Sequence, residues 1–114
     1  MPKINFFDTS ALLGGYSLSR EETNYISNIV FQELEHIKIS HEKDEKIKYK
    51  ARSLVRYLMS NTDLWRTEET NWSKVRKLLE KTPTLEDRHD SLLICEARLL
   101  AKQYEVQFVT ADAA

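Results

Sequence analysis

Four acidic residues lie where the hydrophobic pattern predicts the edge of a core: Asp8, Glu33, Asp90 and Asp112. Asp8 and Asp112 each follow an apolar run, and Glu33 and Asp90 lie on the apolar side of predicted helices. A buried carboxylate without a partner costs several kcal/mol, so each needs a hydrogen bond, a cation or a proton. Helix capping or an ion pair would explain any one of them. A divalent cation held by carboxylate oxygens, Mg²⁺ or Mn²⁺, would explain all four together.

Strands that alternate with helices must position these acids. The pattern predicts strands over 4–7, 25–27, 62–66 and 106–110, and helices over 29–38, 44–59, 72–80 and 87–104. Such alternation is typical of an α/β fold with a mostly parallel sheet. Ligands of these folds bind beyond the carboxyl ends of the strands. Asp8 and Asp112 lie at that end of the first and last predicted strands, which favours a shared site.

The composition sets limits on the kind of protein. The chain has 114 residues, of which 41% are hydrophobic, so it fits one folded domain and does not resemble a disordered chain. No apolar run approaches the roughly 20 residues of a membrane span, and the first residues lack a signal-peptide pattern. The single cysteine, Cys95, excludes an internal disulfide and a cysteine-based zinc site. We therefore expect a cytoplasmic protein with one domain over residues 1–114.

The charge is distributed unevenly along the chain. Between Lys46 and Lys81 there are ten basic and four acidic residues, whereas the remainder has seven basic and fourteen acidic residues. A basic middle with acidic flanks can hold an anionic polymer beside a cluster of carboxylates. The same charges can also form an ordinary solvated helix face, and charge alone does not separate the two interpretations.

Four short motifs, taken in order, resemble the PIN domain, a family of metal-dependent ribonucleases. The opening Phe-Asp-Thr-Ser-Ala-Leu-Leu at 7–13 is similar to the family's first strand end, and the glutamate of Phe-Gln-Glu-Leu at 31–34 is similar to its helical glutamate. Asp-Ser-Leu-Leu-Ile-Cys-Glu-Ala at 90–97 and Val-Thr-Ala-Asp at 109–112 resemble the third and fourth motifs. The predicted helix that carries Ala-Arg-Ser-Leu-Val-Arg at 51–56, after the glutamate motif, makes the chain most similar to the PIN module attached to PhoH-type ATPases.

The resemblance implies a three-layer α/β/α sandwich and a site for Mg²⁺ or Mn²⁺ built from the four acids. It implies cleavage of single-stranded RNA by a metal-activated water, with Asp87 as an additional outer ligand. The hydroxyls of Thr9, Ser10 and Thr110 would hold a water or an acid in place. Basic side chains of the second predicted helix would then bind the RNA backbone without reading its sequence: Lys46, Lys48, Lys50, Arg52 and Arg56.

Other interpretations stay open at this point. The domain can be a non-catalytic PIN-like module of a larger protein that binds RNA or protein. A nucleotide-binding α/β domain has less support, because the sequence has no glycine-rich phosphate loop. PIN domains usually continue beyond the closing Thr-x-Asp, so we expect a domain truncated at its C-terminus. Its open sheet edge favours a homodimer or an attached ATPase or partner domain.

Overall fold

The computed structural model describes residues 1–82 and 88–111. These residues form three strands and five helices, namely β1 (Lys3–Phe7), α1 (Thr9–Leu13), β2 (Asn24–Tyr25), α2 (Asn28–Ile39), α3 (Glu45–Ser60), α4 (Trp72–Lys81), α5 (Arg88–Leu100) and β3 (Glu105–Val109). The predicted α/β fold is therefore confirmed, but the helices α2 to α5 follow one another between β2 and β3, and the periodicity did not indicate the short helix α1.

The strands form a parallel sheet in the order β2-β1-β3, flanked by helices, as the predicted α/β/α sandwich requires. β1 is the central strand, and its residues Ile4, Phe6 and Phe7 are almost fully buried. Continuous burial on both faces is what a central strand of a parallel sheet needs. It explains why three of the four residues at 4–7 are large and apolar, with the buried Asn5 between them.

An aromatic row crosses the sheet at the middle of β1. The ring of Phe6 stacks on Tyr25 of β2 at 5.6 Å between centroids and on Phe108 of β3 at 5.5 Å. All three residues are in register in the ladder. Offset-stacked aromatic pairs at this separation add stability beyond the area they bury. The row therefore fixes the register of the three strands, and with it the relative height of their carboxyl ends.

Helices α1 to α4 begin at polar caps, and the helices contribute buried apolar side chains to the core. Ser27 accepts a hydrogen bond from the Ile29 backbone N–H at the start of α2, and Asn71 accepts one from Lys74 at the start of α4. Such caps satisfy backbone donors that the first helical turn leaves unpaired. The core also includes Cys95 of α5, which is buried.

Three predicted boundaries were wrong. The strand predicted at 25–27 ends at Tyr25, because Ser27 turns to cap α2. The strand predicted at 62–66 is reduced to one parallel bridge between Tyr25 and Arg66. The long helix ends at Leu100 and not at residue 104, because residues 101–104 form the turn that leads into β3.

One edge of the sheet is open in residues 1–82 and 88–111. There β3 pairs with β1 alone, and Phe108 on β3 is 36% exposed. Within the same ranges, each helix is either too short or too polar to span a lipid bilayer.

Candidate functional site

Asp8 is held at the carboxyl end of β1. Its backbone N–H donates to the Val109 carbonyl of β3 at 3.1 Å, which continues the strand pairing one residue beyond β1. Its side chain, only 4% exposed, caps α1: Oδ1 accepts from the Ala11 N–H and from the Ser10 hydroxyl, both at 2.8 Å. Among the described residues, Oδ2 accepts no hydrogen bond. One carboxylate oxygen therefore fixes the side chain and the other is available to a ligand.

Glu33 is linked through Thr9 to the carboxyl end of β1, where Asp8 lies. The region of Asp8, Thr9 and Glu33 is called the carboxylate corner below. The Thr9 hydroxyl, which is buried at the start of α1, donates to Glu33 Oε2 on α2 at 2.9 Å. In the part of the chain that the structure describes, Glu33 Oε1 has no hydrogen-bond partner. The side chain of Glu33 is half-buried. Glu33 is thus linked by one hydrogen bond to Thr9, the residue that follows Asp8, and among the described residues each carboxylate has one oxygen without a hydrogen bond.

Ser10 connects this corner to the end of β3. Its hydroxyl has one hydrogen, which is donated to Asp8, so it must accept in its other contacts. These are with the Thr110 hydroxyl at 3.2 Å and the Ala111 backbone N–H at 3.3 Å. The backbone that follows β3 is therefore tied to the side chain that orients Asp8. The three predicted hydroxyl residues, Thr9, Ser10 and Thr110, all lie in this one network.

Asp90 lies in the first turn of α5 and is half-buried. A short turn joins the end of α5 to the start of β3, so α5 runs antiparallel to the strands and begins at their carboxyl ends. Leu93, three residues further on, is fully buried, which places Asp90 on the inward side of the helix. Helix α5 also packs against α2, which carries Glu33.

The metal site predicted from four acids is described in part. Asp112 and the additional acid Asp87 lie outside the described residues. Within residues 1–82 and 88–111, no three His, Cys, Asp or Glu side chains form a group that could hold a metal ion. The donors that are present fit a hard cation chemically, because Mg²⁺ and Mn²⁺ prefer carboxylate oxygens and Asp8 and Glu33 each keep one free. Asp8, Glu33 and Asp90 do not form a three-ligand group in the described residues, so the four-acid site remains a prediction.

The predicted RNA-binding residues lie on α3, which packs against α1 and α2. Four of them are exposed, namely Lys46, Lys50, Arg52 and Arg56. The fifth, Lys48, is half-buried and pairs with Glu45 at 3.2 Å. At 100° per residue these side chains spread around the solvent side of the helix and do not form a single stripe. They give the helix beside the carboxylate corner a broad positive surface.

The helical periodicity of the sequence did not predict the capping role of Asp8. An aspartate that precedes Thr-Ser-Ala-Leu-Leu is a typical N-cap signal, but α1 is only five residues long. The cap matters for the site because it consumes one oxygen of Asp8 and fixes the direction of the carboxylate.

Comparison with known families and structures agrees with this arrangement. The family model described as "PIN domain" matches residues 6–114, which is nearly the whole chain. No curated protein sequence matches the chain. Among solved structures, the chain is similar to VapBC2 from Rickettsia felis bound to a DNA fragment from their promoter, with a TM-score of 0.53 and 15% identity over 96% of this chain and 99% of that one. At 15% identity this similarity shows the fold alone. Because the family model matches nearly the whole chain, the chain belongs to the PIN domain family.

Proposed function

We propose that this protein is a metal-dependent endoribonuclease that hydrolyses single-stranded RNA. PIN domains are typically nucleases, and the chain matches the family over residues 6–114. The observation that carries the proposal is the pair of hydrogen bonds from Ser10 to Asp8 and from Thr9 to Glu33. They orient the two carboxylates and, among the described residues, leave one oxygen of each without a hydrogen bond. That arrangement suits a cation between the protein and a phosphodiester.

In this proposal Asp8, Glu33, Asp90 and Asp112 hold Mg²⁺ or Mn²⁺, with Asp87 as an outer ligand. When bound, such an ion supplies an activated water and offsets the negative charge of the phosphate. Ser10 and Thr9 act by position: each donates to a ligand carboxylate and prevents it from rotating away from the site. Thr110 holds Ser10 in the orientation that this task needs. Hydrogen bonds of this kind, to the residues that hold a metal, commonly tune affinity and activity.

Basic side chains on α3 are proposed to bind the RNA backbone. Lys46, Lys50, Arg52 and Arg56 are exposed on a helix that contacts α1 and α2. Phosphate contacts of this kind position a nucleic acid and release counterions, so binding weakens as salt increases. They carry no sequence information, so any sequence preference has to come from other residues.

A second candidate is a non-catalytic PIN-like module that binds RNA or protein. It is favoured by one observation, the lack of a three-ligand metal group among the described residues. In either case a partner is proposed for the open edge of β3: a second copy of the chain, or an attached ATPase or other domain. The two functions differ in whether RNA is cut, which one assay decides.

The test is cleavage of end-labelled single-stranded RNA by the purified protein. We expect cutting in the presence of Mn²⁺ or Mg²⁺, loss of cutting when EDTA removes the metal, and recovery when Mn²⁺ is restored in excess. A fully paired duplex of the same sequence serves as the substrate control and should be cut far more slowly. Undiminished cutting in EDTA would contradict metal dependence. Retention of RNA without cutting would favour the non-catalytic module.

Replacing Thr9 with valine should show whether cleavage needs Glu33 to be held in position, because the variant keeps Glu33 but removes its hydrogen bond from Thr9. Valine has nearly the same shape but cannot donate to Glu33 Oε2, so the carboxylate loses its buried partner. We expect a loss of roughly 0.5–1.5 kcal/mol in the free energy of unfolding. Cleavage should fall roughly 10- to 100-fold, as for other residues that orient metal ligands. The matched control is Thr62→Val, at an exposed threonine after α3. Wild-type cleavage by Thr9→Val would show that the hydrogen bond has no role in the reaction.

A further inference from the structure

A pocket between α2, α4 and α5 lies beside two acids of the proposed metal site. Its volume is about 480 Å³, and it is lined by Gln32, Trp72, Arg76, His89 and Leu92. Gln32 lies next to Glu33 on α2, and His89 lies next to Asp90 on α5. Consecutive residues of a helix are about 1.5 Å apart along its axis and about 100° apart around it. The pocket is therefore a neighbour of the proposed metal site, and the proposed chemistry makes no use of its residues.

Trp72 gives the pocket an aromatic wall. It is the first residue of α4, where the Asn71 side chain accepts a hydrogen bond from the Lys74 backbone N–H and fixes the start of the helix. Val75, three residues further on, is fully buried, so Trp72 lies on the inward side of α4 and packs partly against the core. The residue is half-buried and its remaining surface reaches the pocket. An indole anchored in this way offers a rigid surface on which a flat ring can stack.

Arg76 adds a positive charge to the same wall. It lies one helical turn after Trp72, and its guanidinium carbon is 6.0 Å from the centroid of the indole ring, a cation–π contact. A guanidinium beside an aromatic ring enlarges the surface for stacking and can also bind a phosphate. Among the described residues, no carboxylate lines the pocket. The wall therefore favours a ligand that has a flat ring and a negative charge close to it.

The other lining residues supply apolar contact and groups that form hydrogen bonds. Leu92 is buried in the wall that α5 contributes. Gln32 is exposed on α2, and its amide carries both a donor and an acceptor. Proteins commonly hold an unpaired RNA base by stacking its face on an aromatic or guanidinium group and pairing its edge with a polar side chain. The lining has both components within one pocket.

We propose that this pocket holds an unpaired nucleobase of the RNA, stacked on Trp72, next to the phosphodiester that is cut. The proposal rests on the proposed nuclease function and names the part of the substrate that the protein reads. Only a ribose separates a base from its phosphate, so a base in the pocket would bring that phosphate towards Glu33 and Asp90.

The pocket would also give the enzyme a preference at one position of the RNA. The basic side chains of α3 hold the backbone without selecting a sequence, whereas preferences for particular bases can come from the strength of stacking. A purine has the larger ring surface. We therefore expect the pocket to prefer a purine, with the Gln32 amide at its edge.

The experiment is an NMR titration of the full chain, labelled with nitrogen-15, in low salt and EDTA. The chain has two tryptophans, and the indole N–H signal of each is followed. The probes are tetramers of adenosine and of uridine nucleotides and, as the control of equal charge, a tetramer without bases. We expect saturable movement of the Trp72 signal with the adenosine probe, binding weaker by several-fold with uridine, and no movement without bases. The Trp65 indole donates to the Leu58 carbonyl at 2.8 Å, so its signal should stay in place.

Two variants test stacking and charge separately, with affinities measured by fluorescence anisotropy of an end-labelled adenosine probe. Trp72→Leu keeps an apolar side chain but removes the aromatic face, so binding should weaken roughly tenfold or more, whereas Trp72→Tyr should retain most of it. Arg76→Gln should weaken binding several-fold more than Lys77→Gln, which removes an equal charge from an exposed position on the same helix. The arginine variant keeps the test valid if Trp72→Leu lowers the stability of the fold.

The proposal is overturned if the adenosine probe does not move the Trp72 signal, if the probe without bases binds equally well, or if Arg76→Gln binds as Lys77→Gln does. Because the titration needs neither a metal nor cutting, its result does not depend on the RNA cleavage assay. A protein that cuts RNA can fail this test, and a protein that does not cut RNA can pass it. The base pocket and the proposed nuclease function can therefore fail separately.

Discussion

Asp8→Asn is expected to lose RNA cleavage by at least about a hundredfold while the protein stays folded. The amide keeps the size of the side chain and one oxygen that can accept from Ala11 and Ser10. Asparagine is also about as good an N-cap as aspartate, so α1 should be retained. What is lost is the negative charge that a divalent cation needs at this position. Losing a group that stabilises charge in the transition state typically costs about 10²–10³ in rate.

The measurement is the rate of cleavage of end-labelled RNA at a fixed Mn²⁺ concentration, with thermal unfolding recorded on the same samples. Asp63→Asn is the matched control, since Asp63 is an exposed acid paired with Arg20 at the surface. The control should cut at the wild-type rate. An Asp8→Asn protein that melts normally and cuts normally would remove Asp8 from the site. A variant that fails to melt cooperatively would be replaced by Glu33→Gln, which removes the other proposed carboxylate charge.

Phe6→Ala is expected to reduce the free energy of unfolding by about 3–5 kcal/mol. The ring is 0% exposed and stacks on Tyr25 and Phe108 at the centre of the sheet. Its removal leaves a cavity that three strands cannot close without losing register. Domains of this size are stable by only about 5–15 kcal/mol, so the variant should be close to unfolding at physiological temperature.

The loss in the free energy of unfolding is measured from urea unfolding curves recorded by circular dichroism. The matched control is Phe108→Ala, which removes a ring from the same aromatic row at a position that is 36% exposed. Because Phe108 lies on the open edge of the sheet, its loss should cost much less, about 1–2 kcal/mol. Equal losses for the two variants would show that the row is not centred on Phe6.

Much of the fold was predictable from the sequence because its main signals are local. The run of apolar residues in β1 and the helical spacing of α2 and α3 both report burial directly. The missed helix α1 is too short for periodicity to appear, and it depends on the Asp8 cap. The strand predicted at 62–66 was wrong because strand pairing depends on contacts with residues distant in sequence. Arg66 exchanges backbone hydrogen bonds with Asn24 and Ile26, but its neighbours do not continue the ladder.

The candidate site was predictable only as a set of residues. Alternating strands and helices place Asp8 at the carboxyl edge, and helical spacing places Glu33 and Asp90 on inward faces. The links between them are contacts between residues distant in sequence, such as Thr9 to Glu33 and Ser10 to Thr110. No local pattern encodes those.

The most direct test is to find where Mn²⁺ binds, by paramagnetic broadening of backbone amide signals. At low ratios of Mn²⁺ to protein, we expect the signals of Thr9, Ser10 and Ala111 and those around Glu33 to broaden first. The same signals should stay sharp in Asp8→Asn. Broadening that is absent, or that centres on Glu68 and Glu69 and leaves the Asp8 corner unaffected, would contradict a metal-dependent nuclease site at the carboxyl end of β1.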